Sequence, residues 1–277
     1  MAITSPVLKN GKPARERIGI YGPPGCGKTH QYFVIAKWHQ DLGSDARFYA
    51  VSTDTSYEVL TMNEEFEELD NLEWTDVENF QEFLDAARRY KSMMRDQDWI
   101  CSDLQSDAWA YVQDEYARVS TLEAGGQLED MGDLWATAGS SEKYPIEGWE
   151  WGMPNARYRI LANNILQRGK GHAMMIYGQK ELMKDSGSGK TGETAETREM
   201  FGHIGLKPTG QKEDPFRYNT FIHLSSRGER QQAWSTAKER WGYREHVGKK
   251  MSNGGTKDEP FEDFFLDYLI KVAKWEM

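Results

Sequence analysis

A chain of 277 residues, 38% hydrophobic and 28% charged, has room for one large α/β domain with insertions, or for one domain and a small appendage. Its net charge of −10 argues against a surface that grips nucleic acid throughout, while leaving room for a local basic stripe. No apolar run is long enough to span a bilayer, residues 1–17 lack the apolar core of a secretory signal, and the two cysteines fall in no metal-binding spacing, so a reduced chain in the cytoplasm is expected.

Residues 1–14 read as a polar lead-in, and Arg17–Tyr21 as a short apolar strand. The stretch YGPPGCGKTH follows. Gly22, Gly27, Lys28 and Thr29 fill the pattern G-x-x-x-x-G-K-[ST], whose backbone N–H groups wrap around phosphates. The candidate phosphate-binding residues are Gly22, Pro23, Pro24, Gly25, Cys26, Gly27, Lys28, Thr29 and His30. Lys28 would reach the β- and γ-phosphates of ATP, and the Thr29 hydroxyl would ligate Mg²⁺. A helix is expected over 28–40, with Tyr32, Ile35, Ala36 and His39 near helical spacing, so the loop sits between a strand and a helix as the motif requires. The plain reading of Cys26 is a small residue that fits the loop.

Residues 46–51 predict a second strand ending in Ser52-Thr53-Asp54-Thr55, and residues 71–74 a short third strand. Thr75 to Glu78 resembles a capping box opening a helix to about Arg95. Residues 98–103 then form an apolar strand ending in Asp103, placed as the metal-binding carboxylate of a nucleotide site. A helix is expected over 104–119, a long polar loop over 120–145, a helix over 155–167 and a buried strand over 172–178 ending at Gln179. The chain then loses periodicity over 180–214. Its GSGKTG segment imitates a second phosphate loop but follows no strand, and is rejected as one. Residues 217–225 read as a strand with alternating sides and 232–237 as its hairpin partner, leading into Lys238 and Arg240. Phe261, Phe264, Phe265, Tyr268, Leu269 and Val272 predict an amphipathic C-terminal helix opened by Pro260. Trp149 and Trp151, flanking Glu150, are read as anchors of the long loop.

This order of landmarks resembles the RecA-like P-loop ATPases, and among them the small phage-encoded proteins of recombination and single-strand annealing. The resemblance covers roughly residues 15 to 245, and its more specific part is the co-occurrence of Asp103, Gln179 and the K-x-R-x-G element at Lys238 and Arg240. It implies an α/β core with a central, mostly parallel sheet, a late β-hairpin and a C-terminal helix. It also implies that Asp54 orients the attacking water, although the family more often has Glu there. Gln179 would sense the γ-phosphate, and Lys238 and Arg240 would reach the ATP of a neighbouring subunit in a filament or ring. Single-stranded DNA, further copies of the chain and a single-strand-binding or other replication or recombination protein are the implied partners. The corresponding division is a lead-in at 1–14, an ATPase core at 15–250 with long loops at 120–145 and 180–214, and a linker with terminal helix at 251–277.

Charge distribution supports the DNA expectation poorly. The loop at 120–145 carries Glu123, Glu129, Asp130, Asp133 and Glu142 against Lys143, and the segment 180–214 is near balance. The basic excess lies at 227–250 and 9–17, and the nearby Tyr218, Trp234, Trp241 and Tyr243 could stack on bases or simply pack. The alternatives are an AAA-type remodelling or DNA-packaging motor, disfavoured because Leu104 rather than a second acid follows Asp103; a small-molecule kinase, disfavoured because 180–214 has only Arg198 for an arginine lid; and an ATP-dependent switch with little hydrolysis, kept open by the short Asp54.

Overall fold

In the computed structural model the described residues are 5–6, 8, 14–123, 151–163, 169–183, 193–227, 231–239, 250–252, 269 and 275–276. The strands are β1 (Arg17–Tyr21), β2 (Phe48–Ser52), β3 (Leu72–Asp76), β4 (Trp99–Asp103), β5 (His172–Tyr177), β6 (Gln179–Glu181), β7 (Leu206–Pro208), β8 (Thr220–Arg227), β9 (Gln231–Glu239) and β10 (Lys250–Ser252). The helices are α1 (Lys28–Asp41), α2 (Ser56–Thr61), α3 (Phe80–Met93), α4 (Gln105–Glu123), α5 (Gly152–Ala162) and α6 (Ala195–Phe201).

One 8-stranded sheet runs in the order β10-β9-β8-β1-β5-β4-β2-β3. From β3 across to β8 every pairing is parallel, and β9 and β10 then add antiparallel strands at the edge. This is the expected α/β architecture with a mostly parallel sheet and a late hairpin. Parallel strands need covering on both faces, and their residues are apolar in continuous runs for that reason. On one face Tyr49, Val51, Ile100, Met175 and Tyr177 pack against α3, α4, α5 and α6. On the other, Ile18, Ile20, Ala50, Cys101, Met174 and Ile176 pack against α1 and α2. Leu269 and Trp275 join this second core. The Trp275 indole donates to Glu16 Oε1 at 3.1 Å and lies against His39, Trp99 and His172 at the lower end of the sheet. Apart from Leu269, the apolar stripe expected over 261–272 lies outside the described residues.

Several expected boundaries are corrected. The α3 cap is Asn79, whose side chain accepts the Glu82 N–H, while the Glu82 carboxylate accepts the Glu78 N–H. Thr75 and Asp76 cannot cap, because their backbone is committed to β3 in register with Val51 and Ser52. Helix α4 continues to Glu123, into the stretch read as loop, and α5 begins at Gly152 rather than Asn155. Residues 124–150, with Trp149, lie outside the described residues. The segment 180–214 is not without structure. β6 and β7 pair antiparallel, setting Lys180 opposite Lys207, and α6 lies between them in sequence. Two lysines facing each other repel, and Glu193 offsets this with an ion pair to the Lys207 ammonium. The GSGKTG stretch lies outside the described residues. β8 begins at Thr220 rather than 217, and its sides alternate as expected: Phe221 joins the core on one face of the sheet and Ile222 and Leu224 the core on the other, so residues 220–224 are all buried.

Candidate nucleotide and metal site

The parallel strands bring their carboxyl ends to one edge. The register aligns Tyr21 with Tyr177, Ile176 with Asp103, Asp103 with Ser52, and Tyr21 with His223. Segments leaving this edge therefore meet there: the glycine loop after β1, Thr53 and Asp54 after β2, Asp103 ending β4, and Gln179 after β5. An open parallel sheet offers its ligand crevice at that edge.

The loop's geometry follows from its glycines. Gly27 caps α1 with φ 88°, a left-handed conformation costly for other residues. A Cβ on Gly22 would lie 2.0 Å from the Leu224 carbonyl oxygen, so this position admits no side chain while β8 stays beside β1. No side chain caps the start of α1 and no acid sits in its first turn, which leaves a helix N-terminus suited to an anion. Lys28 is buried, and its ammonium donates to the Gly22 and Pro23 carbonyls at 3.1 and 2.8 Å, which holds it across the loop. Pro24 and Gly25 are exposed at the tip, and the His30 ring sits edge-on to Phe66. Burial pushes the Cys26 thiol up, although the Lys28 charge opposes this; a protonated thiol suits a packing residue rather than a redox centre.

Thr29 and Asp103, 74 positions apart in sequence, are in contact: the hydroxyl donates to Oδ2 at 2.5 Å. Asp103 is fully buried, and its Oδ1 has no hydrogen-bond partner. Burial, reinforced by the charges of Asp54 and Asp107, pushes this carboxyl up to about 7, against the opposing effects of the Thr29 hydroxyl and Lys28. A buried carboxylate oxygen without a partner is costly unless a cation or a cation-bound water completes it. Together with the hard oxygen of Thr29, this pair fits Mg²⁺. Among the described residues no group of three or more His, Cys, Asp or Glu could hold a metal by itself.

Asp54 is exposed, and its Oδ1 accepts the Ser56 N–H at 2.8 Å, a local turn that leads into α2. Beside it, Thr53 joins β2 to the start of α4. Its N–H donates to the Asp103 carbonyl at 2.7 Å, and its hydroxyl accepts the Leu104 N–H at 3.0 Å and donates to Asp107 Oδ2 at 2.7 Å. Sequence reasoning missed Asp107; the only available signal was an acid in the first turn of the helix after Asp103.

Gln179 extends from β5, between the loop strand and the Asp103 strand. Its Oε1 meets His223 Nε2 at 2.9 Å, and the Tyr21 ring lies 4.8 Å from that imidazole. His223 was likewise missed, because a lone histidine in an apolar strand reads as packing. Lys238 is not at this edge. It pairs with Phe221, which pairs with Gly19, three residues before Gly22, and its ammonium donates to the Pro215 carbonyl at 2.9 Å. Arg240 lies outside the described residues.

The turn that receives Lys238, Asp214–Arg217, is fixed from within. Asp214 is fully buried and its Oδ2 accepts the hydroxyls of Tyr158 and Tyr177, the latter at 3.2 Å, while Gln105 donates to Tyr158 at 2.6 Å. Tyr218 bonds Tyr177, so it is a packing residue rather than a stacking platform. Two members of the basic run at 9–17 are also structural: Arg15 donates to Gly169, and the buried Arg17 to Glu16, Gly169 and Gly171. Among the described residues, no helix is long and apolar enough to cross a membrane.

No protein-family model matches this sequence, and no curated protein matches it. Among solved structures, the crystal structure of the RadB recombinase is similar, with 15% identity and a TM-score of 0.48 over 88% of this chain and 90% of that one. A likeness of that degree assigns neither an activity nor a partner.

Proposed function

We propose that this chain is a Mg²⁺-dependent ATP-binding protein and ATPase that acts on single-stranded DNA in recombination or annealing of the phage type, and that it assembles in several copies with ATP at the subunit interface. The observation that carries the nucleotide part is the Thr29–Asp103 contact at 2.5 Å beside an uncapped helix N-terminus, with Asp103 Oδ1 buried and unpartnered. Lys28 and the loop amides bind the phosphates. Thr29 and Asp103 would hold Mg²⁺, which would supply charge neutralisation for the phosphates. Asp54 orients water, and Gln179 reads the γ-phosphate from the strand between the loop and the metal aspartate.

The DNA, assembly and partner-protein parts rest on the resemblance in the order of landmarks. So does the role given to Lys238 and Arg240 on a neighbour's ATP. The deciding experiment is the steady-state ATPase rate with and without single-stranded DNA, with Lys28→Ala as control. Stimulation by DNA that rises with protein concentration supports the whole reading. Hydrolysis indifferent to DNA overturns the recombination part and favours a motor with a protein partner. Turnover unchanged in Lys28→Ala overturns the loop assignment.

A second reading, an ATP-driven switch with little turnover, is favoured by one observation: an oxygen of the exposed Asp54 carboxylate is engaged by the Ser56 N–H. ATP-dependent assembly with background hydrolysis would identify it.

A further inference from the structure

We infer that Asp107 is a positioning residue of the metal site, holding a water in the hydration shell of the bound cation. The inference rests on the nucleotide reading above. Three features place it there. Asp107 lies in the first turn of α4, four residues beyond Asp103, and its carboxylate is held by the Thr53 hydroxyl at 2.7 Å. That hydroxyl is itself fixed by the Leu104 N–H at 3.0 Å, and the Thr53 N–H binds the Asp103 carbonyl at 2.7 Å. One residue thus sets both the Asp103 backbone and the Asp107 side chain. The third feature is Asp103 Oδ1, buried, unpartnered and within electrostatic reach of Asp54 and Asp107.

The carboxylates of Asp54 and Asp107 repel that of Asp103, and a divalent cation reverses the sign of that interaction. Asp107 would repel a phosphate directly, so its favourable partner is a cation-bound water, whose hydrogens face outward. Mg²⁺ retains several such waters, and carboxylates that accept from them fix the orientation of the shell. Asp54 is less suited to this part, since it is exposed and engaged by Ser56. The purely structural alternative is that Asp107 only stabilises the N-terminus of α4 through its charge.

The test compares wild type with Asp107→Asn and Thr53→Val, using Mn²⁺ as the metal probe and ATPγS as the nucleotide. Free Mn²⁺ is followed by electron paramagnetic resonance, and ATPγS affinity is measured separately in EDTA. Asn keeps the size and the acceptor for Thr53 but lacks the charge. We expect Asp107→Asn to weaken Mn²⁺ binding to the ATPγS complex roughly 10- to 100-fold, as loss of an outer-shell carboxylate does, with metal-free ATPγS affinity within about twofold of wild type. Thr53→Val should weaken Mn²⁺ less, because the carboxylate remains. Mn²⁺ affinity within about twofold of wild type in Asp107→Asn overturns the inference, and so does a parallel loss of metal and metal-free nucleotide binding, the mark of a destabilised helix. If wild type takes no ATPγS in either condition, the nucleotide reading fails and the inference with it.

Discussion

Asp103→Asn should stabilise the metal-free protein at neutral pH while impairing its metal site. The folded carboxyl is pushed from its ordinary 3.8 up to about 7 by burial and by the neighbouring acids. The folded chain therefore holds that proton more tightly than the unfolded chain, and stability falls as pH rises between those values. A shift of about three units corresponds to a penalty of about 4 kcal/mol, nearly complete at pH 7 and above, about 2 kcal/mol at pH 5, and vanishing below the unfolded value. Asn approximates the neutral carboxyl in shape and can still accept from Thr29. The quantity to measure is the difference in unfolding free energy between variant and wild type, from urea titrations in EDTA followed by tryptophan fluorescence. Taking the difference cancels other titrating groups. It should grow by about 3 kcal/mol from pH 5 to pH 8 in favour of the variant. A difference constant to within about 1 kcal/mol would refute the argument, since Asp103 would then be ionised in the folded chain at little cost. Adding Mg²⁺ and ATPγS should shift the balance towards wild type, because the cation binds the ionised form.

Gly22→Ala should abolish nucleotide binding and lower the melting temperature, since the new methyl would sit 2.0 Å from the Leu224 carbonyl oxygen and force β8 from β1; binding and melting equal to wild type would remove that contact. The buried His39 is pushed down to about 4 by burial, so the folded chain resists its protonation. Stability should be lost as pH falls from 6.5 towards 4, by about 3 kcal/mol, and urea unfolding of His39→Gln should lack this part of the acid dependence. His172 is depressed in the same direction, by burial and then by Arg17, and adds to the acid sensitivity of the wild type. Lys238→Ala combined with Arg240→Ala should leave ATP binding by dilute protein within about twofold, and lower the concentration-dependent part of turnover by about 10³-fold if these cations act on a neighbour's phosphates. Turnover like that of wild type would end that role.

Much of the candidate site's arrangement was legible because its signals are local. The loop motif needs only a strand before it and a helix after it, and both follow from short runs of sequence. The position of Asp103 was legible because a strand's last residue necessarily faces the carboxyl edge of a parallel sheet. What sequence missed depends on tertiary pairing. Thr75 and Asp76 look like a helix start until Val51 and Ser52 claim their backbone. The pairing of β6 with β7 joins residues about 25 apart through a stretch rich in glycine and charge, and places like charges opposite each other, which propensity disfavours. Glu193, brought close by the fold, offsets that repulsion with its ion pair to Lys207. Asp107 was invisible for a different reason. An acid in a helix's first turn is ordinary, and its contact with Thr53, just after β2, joins residues 54 positions apart in sequence.

Lys238 shows how far the geometry of one chain constrains a role that needs two. Its strand runs antiparallel to β8, so successive residues of β9 move away from the phosphate edge. Lys238 is level with Gly19, which puts it about 10 Å back from Gly22 along the strand direction and about as far again across two strand spacings. Its ammonium is held by the Pro215 carbonyl, in a turn anchored by Asp214 to Tyr158 and Tyr177. Carrying it to its own chain's loop would require breaking the β8–β9 pairing or that buried network. A cation on this hairpin therefore either serves the hairpin itself or meets a phosphate belonging to another copy, and the dependence of turnover on protein concentration separates the two.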